Sequence, residues 1–179
     1  MRVITLSGNI VEATMRYVTQ DGNIIEGAIR YVTIEWEGPL TIEEVRPLNK
    51  DEDYGLYQIY NRDKLLYIGK AEEISFSARL ENHEILRKVE DKDAKIRIGR
   101  IAVEDYEDEP ENNRWTDWRR LLQDVEALQI FKHKPPENTH NTQTYNGPPL
   151  YVVNKGKLGD LKAEYRYPSY RSLLEGSNE

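Results

Sequence analysis

Two runs rich in aromatic and β-branched residues, separated by a short polar link, constrain the fold of this chain more than any other feature. The runs cover residues 54–60 and 65–71, and the link is Asn61-Arg62-Asp63-Lys64. Such runs predict β-strands, and a polar link of this kind predicts that the strands form an antiparallel hairpin. Tyr57 lies near the start of the first strand, and Tyr67 lies in the middle of the second. Gly69 then leaves open space beside Lys70, which is an unusual combination in a core hairpin.

The turn of this hairpin decides which face each side chain occupies. With a plain four-residue loop, Tyr57 and Lys70 share one face of the hairpin and Tyr67 points to the other. A β-bulge or a different loop length brings both tyrosines to the same face. The sequence leaves both arrangements open.

The segment that follows the hairpin has a helical pattern. We expect one helix from Ser75 to Glu90, with Arg79 and His83 four residues apart on it. Because residues four apart lie on the same face of a helix, both side chains are expected to lean over one patch.

A second helix is expected from Arg114 to Phe131, with Asn112 or Asn113 as its cap. Glu126 lies at the edge of its apolar stripe, where a carboxylate is half buried but still reaches solvent or a metal ion. The stripe consists of Trp118, Leu121, Leu122, Val125 and Leu128, which recur at helical spacing.

Taken in chain order, five short motifs resemble those of the GIY-YIG nuclease family. They are Gly55-Leu56-Tyr57, Tyr67-Ile68-Gly69-Lys70-Ala71, Arg79-x-x-x-His83, Glu126-Ala127-Leu128 and Pro135-Pro136-x-Asn138. The first motif departs from the family pattern, since leucine stands in place of isoleucine, and the second is intact. The resemblance covers the stretch from Tyr54 to Asn138, about half of the chain.

The resemblance implies an α+β fold and an activity. We expect a small antiparallel β-sheet, centred on residues 55–70 and 95–103, with the two helices packed on it. The expected activity is divalent-metal-dependent hydrolysis of DNA phosphodiester bonds. In this interpretation Glu126 holds one Mg²⁺ or Mn²⁺ ion, and Mg²⁺ suits a single carboxylate because it keeps most of its waters.

The resemblance also assigns roles to the other polar residues. Arg79 would stabilise the charge that develops on the phosphate, a task suited to a planar, always protonated fork. Tyr57 would activate the attacking water, for which its pKa near 10 must be lowered by a cation such as Lys70. Tyr67 would position the water or the phosphate.

Three further residues complete the candidate site. His83 would orient Arg79, contact phosphate or shuttle a proton, and Gly69 would allow a close approach of the backbone. Asn138 would fasten the loop beneath the site or touch the phosphate. Each candidate also has an ordinary interpretation, in which Arg79 and Glu126 are helix-surface residues and the tyrosines are core aromatics.

The chain before the hairpin contains a short duplication. Residues 8–19 resemble residues 22–33, and Asp21-Gly22 between them predicts a hairpin turn, with Arg2 to Leu6 as a possible third strand. Gly38-Pro39 is expected to end the strand pattern. The duplication reflects either two similar paired strands or a basic-aromatic surface for nucleic acid. That surface would consist of Arg16, Tyr17, Arg30 and Tyr31.

The motifs and the strand patterns together predict that the chain consists of three segments. An N-terminal β-hairpin-rich appendage covers residues 1–52, a GIY-YIG-like nuclease domain covers 53–146, and a C-terminal β extension covers 147–179. The extension contains two expected strands, 151–154 and 161–166.

Composition narrows the class of protein. The absence of cysteine, of a signal-peptide pattern and of a long apolar run leads us to expect a cytoplasmic protein without membrane spans. The net charge of −7 argues mildly against tight DNA binding. Much of that charge comes from the acidic run 104–111, which is expected to be a solvated loop.

Two classes of function therefore stay open. The first is a DNA endonuclease, either stand-alone or restriction-type, with a mobile-element or repair role as further options and a homodimer expected if the target is palindromic. The second is a nucleic-acid- or protein-binding module that keeps the fold but has lost catalysis.

Overall fold

The structure of the protein is a computed structural model that describes residues 2–4, 10–18, 24–48, 54–89, 92–101 and 111–167. Side chains are described for residues 30–48, 54–89, 92–101 and 118–167. These ranges contain β1 (Arg2–Ile4), β2 (Ile10–Val18), β3 (Ile24–Leu40), α1 (Ile42–Val45), β4 (Gly55–Asn61), β5 (Lys64–Ala71), α2 (Phe76–Glu81), α3 (Glu84–Lys88), β6 (Ala94–Ile101), α4 (Glu111–His133), β7 (Leu150–Gly156) and β8 (Glu164–Tyr167). None of the described helices is long and apolar enough to cross a lipid bilayer.

All of the described strands belong to one mixed β-sheet, and β3 organises it. β7 runs parallel to β3 along residues 30–36, whereas β2 and β6 run antiparallel to it along residues 24–32 and 34–40. Since β7 occupies one edge of β3, β2 and β6 must lie end to end along the other edge. The order across the sheet is therefore β5-β4-β6-β3-β7-β8, with β2 and then β1 beside the first half of β3.

The expectation of an α+β protein is confirmed, but the sheet is larger than expected and is not purely antiparallel. The parallel contact arises because β7 returns to β3 after α4, and parallel strands require a long connection of this kind. Strands from all three expected segments pair in this sheet. The segment boundaries themselves stay a prediction.

Helices cover both faces of the sheet, and alternate residues of β4 point to different layers. Leu56 packs with the α4 side, and Tyr57 packs with the side formed by α1, α2 and α3. The α4 layer includes Trp36, Leu121, Leu122, Val125, Leu128 and Val152. The opposite layer includes Val45, Ile59, Phe76, Leu80, Ile85 and Ile98. The apolar stripe predicted for the second helix is therefore buried against the sheet.

The helix boundaries differ from the predicted ones. The single helix expected from Ser75 to Glu90 is wrong, because α2 ends at Glu81 and α3 begins at Glu84. The break occurs because His83 has an extended backbone and caps α3 instead of continuing α2. α4 begins at Glu111, so Asn112 and Asn113 lie inside its first turn and do not cap it.

The N-terminal hairpin is confirmed, with β2 and β3 paired and β1 as the third strand. Gly38-Pro39 does not end the strand: β3 continues to Leu40, and its ladder with β6 shifts register between Glu37 and Leu40. The side chains of Arg16 and Tyr17 and residues 104–110 of the acidic run lie outside the described residues. The short helix α1, which begins with a Thr41 capping box, was not predicted.

Candidate functional site

A β-bulge brings the two tyrosines to one face of the central hairpin. Ile59 lies opposite Tyr67, and the register then shifts so that Leu66 has no residue directly opposite it. Gly69 lies opposite Tyr57. The rings of Tyr57 and Tyr67 stack with their centroids 6.1 Å apart. The bulged arrangement is thus the observed one, and the plain four-residue loop is not.

Tyr57 is the most enclosed residue of the site, with 0% of its surface exposed. Its hydroxyl has no well-aligned hydrogen-bond partner within the described residues. The Arg79 guanidinium and Tyr67 are nevertheless close enough to act on it electrostatically. Burial raises the pKa of Tyr57 far above its usual value, and Arg79 only partly opposes this shift. The phenol therefore keeps its proton at neutral pH and lies buried beneath Arg79 and Tyr67.

His83 packs its ring against both tyrosines. Its ring centroid lies 5.6 Å from that of Tyr57 and 4.9 Å from that of Tyr67, and both contacts are edge-on. Its Nδ1 accepts a hydrogen bond from the Ile85 backbone N–H at 3.3 Å. Burial, followed by the charge of Arg79, lowers the pKa of His83. The imidazole is therefore neutral near pH 7 and carries its proton on Nε2.

Arg79 lies in the last turn of α2 with an exposed side chain. Its guanidinium acts on Tyr57, Tyr67 and Glu126, and Tyr57 makes the largest contribution to the rise in the pKa of Arg79. Arg79 and His83 both lie beside the tyrosines, but they do not share the face of one helix as expected, because a helix break separates them. An exposed guanidinium beside buried phenols can bind an anion that approaches from solvent.

Glu126 reaches the same place from α4, on the other side of the sheet. Its pKa is raised to about 7, mainly by burial and further by Glu72, whereas Lys70 and Arg79 oppose the rise. The charge of Glu126 in turn raises the pKa of Tyr67. Glu126 and the groups on the other face of the sheet, Arg79 and Tyr67, can interact across the edge of the sheet. β5 lies at the end of the described strand order, and at such an edge side chains from both faces come close to one another.

Lys70 belongs to the α4 side of this edge. It lies opposite Leu56 in the ladder, and its ammonium forms an ion pair of 2.7 Å with Glu72. The cation that acts on Tyr57 is Arg79, so the expectation that Lys70 lowers the pKa of that phenol has no support in this geometry. Glu72 was missed in the sequence, although its spacing of two residues from Lys70 predicts a shared face.

Asn138 secures the outer edge of β5. Its side-chain oxygen accepts a hydrogen bond from the Ile68 N–H at 2.9 Å, and its amide nitrogen donates one to the Ile68 carbonyl at 2.8 Å. The Glu137 N–H donates to the Leu66 carbonyl at 3.0 Å. The loop after α4 therefore pairs with the edge strand much as another strand would, and it holds the Tyr67-to-Gly69 segment in position.

No protein-family model, curated protein or solved structure matches this chain with statistical significance. The likeness to GIY-YIG nucleases therefore rests on the motifs, and membership of that family stays a prediction.

The fit of a divalent cation can be judged from the charges around Glu126. The side chains of the described residues contain no cluster of three or more His, Asp or Glu residues with metal-binding spacing. Glu126 is a partly buried carboxyl whose pKa is raised by burial and by Glu72 and lowered by the nearby cations Lys70 and Arg79. A cation there would stabilise its ionised form, and Mg²⁺ accepts one or two carboxylates because waters and substrate phosphates complete its shell. Glu126, with Glu72 nearby, offers the one or two carboxylates that such an ion requires, and a metal site here stays a prediction.

Proposed function

We propose that this protein is a divalent-metal-dependent endonuclease that hydrolyses DNA phosphodiester bonds, with the chemistry of the GIY-YIG family. The observation that supports it best is the convergence of Tyr57, Tyr67, Arg79, His83 and Glu126 at the β5 edge. They come from β4, β5, α2, α4 and the junction between α2 and α3, so a shared chemical task explains their meeting better than core packing does.

Arg79 is the group that binds the phosphate. Its guanidinium is exposed to solvent on one side and lies against the tyrosines on the other. A planar fork can donate two parallel hydrogen bonds to the non-bridging oxygens and stabilise the negative charge that grows there.

Tyr67 is partly exposed and holds the attacking water or a phosphate oxygen, and the buried Tyr57 supports it from behind together with Arg79. Because burial raises the pKa of Tyr57, its phenol is protonated at neutral pH and acts through its O–H rather than as a ready base. His83 is neutral, and its Nδ1 is occupied by the Ile85 N–H, so it contributes an Nε2–H donor beside the tyrosines.

Glu126 would hold the metal ion. A bound Mg²⁺ would polarise the phosphate and help to generate the nucleophile. The second carboxylate, Glu72, is kept close to Glu126 through its ion pair with Lys70. Glu126 supplies this ligand only when ionised, which requires a pH near or above its pKa of about 7.

Plasmid nicking tests the proposal. Supercoiled DNA is incubated with the protein in Mg²⁺ or in EDTA, beside the variants Glu126→Ala and Glu81→Ala. We expect nicking in Mg²⁺ that EDTA abolishes and that Glu126→Ala reduces about 100-fold or more. Glu81 is an exposed residue at the end of α2, so its variant is the matched control and is expected to retain activity.

Well-folded protein that does not nick DNA in Mg²⁺ or Mn²⁺ would overturn the proposal in favour of a binding module. The pattern of products separates the biological roles. Discrete fragments from a long duplex indicate a restriction-type enzyme and, for a palindromic site, a homodimer. Random nicking or a preference for branched DNA contradicts the restriction-type role.

A further inference from the structure

Arg30 and Tyr31, two members of the basic-aromatic surface considered for the duplication, point to opposite faces of the sheet. Tyr31 packs against the ring of Tyr151 on β7, with the two centroids 4.9 Å apart. Arg30 points to the face that α4 covers, as Val32 does, because side chains alternate along a strand. These two residues therefore do not form one basic-aromatic surface, and the arginine belongs to a different part of the molecule.

Arg30 lines an open cleft between β3, α4 and the loop before β7. The cleft has a volume of about 490 Å³, which falls within the range of about 300–1,000 Å³ in which small molecules bind. α4 contributes Arg120 and Asp124, which lie one helical turn apart, and the loop contributes residues 146–149. The cleft is therefore large enough for a small ligand and has charged groups on two of its walls.

The loop that forms one wall of the cleft is held in place by its own contacts. The Tyr145 hydroxyl donates a hydrogen bond to the Pro148 carbonyl at 2.9 Å. The Arg30 N–H donates to the Pro149 carbonyl at 3.2 Å. Tyr145 is itself buried in the α4 layer of the core. Because this wall is formed in the folded chain, a ligand does not have to order it, which lowers the entropic cost of binding.

Two cations and one carboxylate meet at the cleft. Asp124 is half-buried, whereas Arg120 is exposed. Burial raises the pKa of Asp124, and the charges of Arg30 and then Arg120 oppose that rise, so the three groups are close enough to interact. In the part of the chain that the structure describes, the side chains of Arg120 and Asp124 form no direct hydrogen bond or ion pair. They act on each other across space that a ligand can enter.

We propose that this cleft binds a small sugar phosphate, either free or as part of a mononucleotide. Arg120 and Arg30 bind the phosphate, because a planar guanidinium donates two parallel hydrogen bonds to such a group. Asp124 accepts hydrogen bonds from the sugar hydroxyls, as a carboxylate does in ribose recognition. Pro148 and Pro149 supply an apolar wall. Two guanidinium groups against one carboxylate favour an anion over a neutral sugar.

The inference does not rest on the proposed function, because the cleft is separate from the β5 edge. Asp124 and Glu126 are two residues apart on α4, so their side chains point about 200° away from each other around the helix axis. The ordinary alternative is that Arg120 and Asp124 are a surface pair at the common spacing of four residues. In that case the cleft binds no ligand.

Isothermal titration calorimetry of the full chain in EDTA tests the inference. Adenosine monophosphate, ribose phosphate and inorganic phosphate are titrated separately into wild type, Arg120→Gln and Asp124→Ala. Arg119→Gln is the matched control, because Arg119 is an exposed neighbour on α4 that pairs with Glu73 at 3.4 Å and does not line the cleft. Circular dichroism checks that each variant is folded.

We expect Arg120→Gln to bind the sugar phosphates about 10-fold more weakly or worse, and Arg119→Gln to change their affinity less than about twofold. Asp124→Ala should weaken the sugar phosphates about fivefold. It should not weaken inorganic phosphate, because a carboxylate repels a bare anion. Tighter binding of adenosine monophosphate than of ribose phosphate identifies the ligand as a nucleotide, and equal binding identifies a free sugar phosphate.

Three results would overturn the inference. The first is that neither sugar phosphate binds to the folded wild-type protein at about 5 mM. The second is that Arg119→Gln loses as much affinity as Arg120→Gln, which would indicate a general effect of net charge. The third is that Asp124→Ala binds the sugar phosphates as tightly as wild type, which would reduce the cleft to a site for inorganic anions.

Discussion

Gly69 lies directly opposite Tyr57 across the β4–β5 ladder, and the Tyr57 ring fills the space that a side chain at position 69 would need. A methyl carbon there would lie 2.5 Å from both Cζ and the hydroxyl oxygen of Tyr57. It would also lie 2.7 Å from Cε1 of Tyr67. Glycine is therefore needed at this position because the two phenols approach the backbone too closely for any other residue.

Gly69→Ala is expected to displace the Tyr57 hydroxyl and to impair cleavage more than stability. Overpacking of this kind costs about 1–3 kcal/mol of unfolding free energy, and a shift of about 1 Å at a reacting group can lower the rate about 100-fold. Plasmid nicking and urea denaturation measure the two effects. Gly147→Ala is the matched control, because a methyl carbon there would overlap the Tyr145 hydroxyl, a contact outside the site. Equal loss of activity in both variants would contradict the prediction.

Tyr57→Phe is expected to stabilise the protein while it lowers activity. The substitution removes a buried hydroxyl that lacks a well-aligned partner among the described residues, which we expect to raise the unfolding free energy by about 1 kcal/mol. Cleavage should fall about 100-fold or more if the O–H acts in the reaction. Urea denaturation and nicking rates provide the measurements.

Tyr60→Phe is the control for Tyr57→Phe, because its buried hydroxyl donates to Gln58 at 2.9 Å. Loss of that bond is expected to destabilise the protein by about 1–3 kcal/mol and to leave cleavage intact. A stabilised Tyr57→Phe variant with full activity would exclude the phenol from the chemistry.

Glu126→Gln is expected to stabilise the metal-free protein at high pH. The folded-state pKa of Glu126 is about 7, above the ordinary value of 4.5, so folding favours the protonated form. As the pH rises from 4.5 to 7 the wild-type protein loses stability, and the loss is complete above pH 7. The neutral glutamine avoids this loss.

The variant should therefore be more stable than wild type by about 1–3 kcal/mol at pH 8, and equal to it near pH 4. Chemical denaturation in EDTA across this range provides the measurement, with the exposed Glu81→Gln as the control. A stability difference that does not change with pH would show that Glu126 is not a buried carboxyl with a raised pKa.

Asn138→Ala is expected to loosen the edge of β5. The variant loses both hydrogen bonds to Ile68, which together contribute about 1–3 kcal/mol of stability. Amide hydrogen exchange by NMR should show faster exchange at Ile68, whereas the exposed neighbour Thr139→Ala leaves that rate unchanged. If the Ile68 amide of Asn138→Ala is protected as well as in wild type, Asn138 does not hold the edge of β5 in position.

Local pattern predicted the pieces of the fold that depend on local interactions. The β4–β5 and β2–β3 hairpins follow from strand-forming runs joined by polar or Asp-Gly turns, and α4 follows from its apolar stripe. The split between α2 and α3 escaped prediction because the helical pattern continues across it. There the His83 side chain bonds to the Ile85 N–H and caps a new helix.

Contacts between segments that are distant in the chain could not be predicted from local sequence patterns. β3 and β7 pair in parallel along residues 30–36 and 150–156, and no local signal marks this choice of partner. The spacing of Glu72 from Lys70 predicts their shared face, but the position of Glu72 beside Glu126 depends on the packing of α4, which no local pattern reports.

The sequence by itself determined which chemical groups this protein carries and in what order, because turn chemistry and apolar periodicity act over a few neighbouring residues. Only the tertiary structure decided which groups meet. The bulge at Leu66 turned Tyr67 toward Tyr57, and the packing of α4 and α2 at the β5 edge brought Glu126 and Arg79 to them. Burial and pKa depend on the neighbours that packing supplies, so Tyr57 and Glu126 acquired their chemical character only in the folded chain.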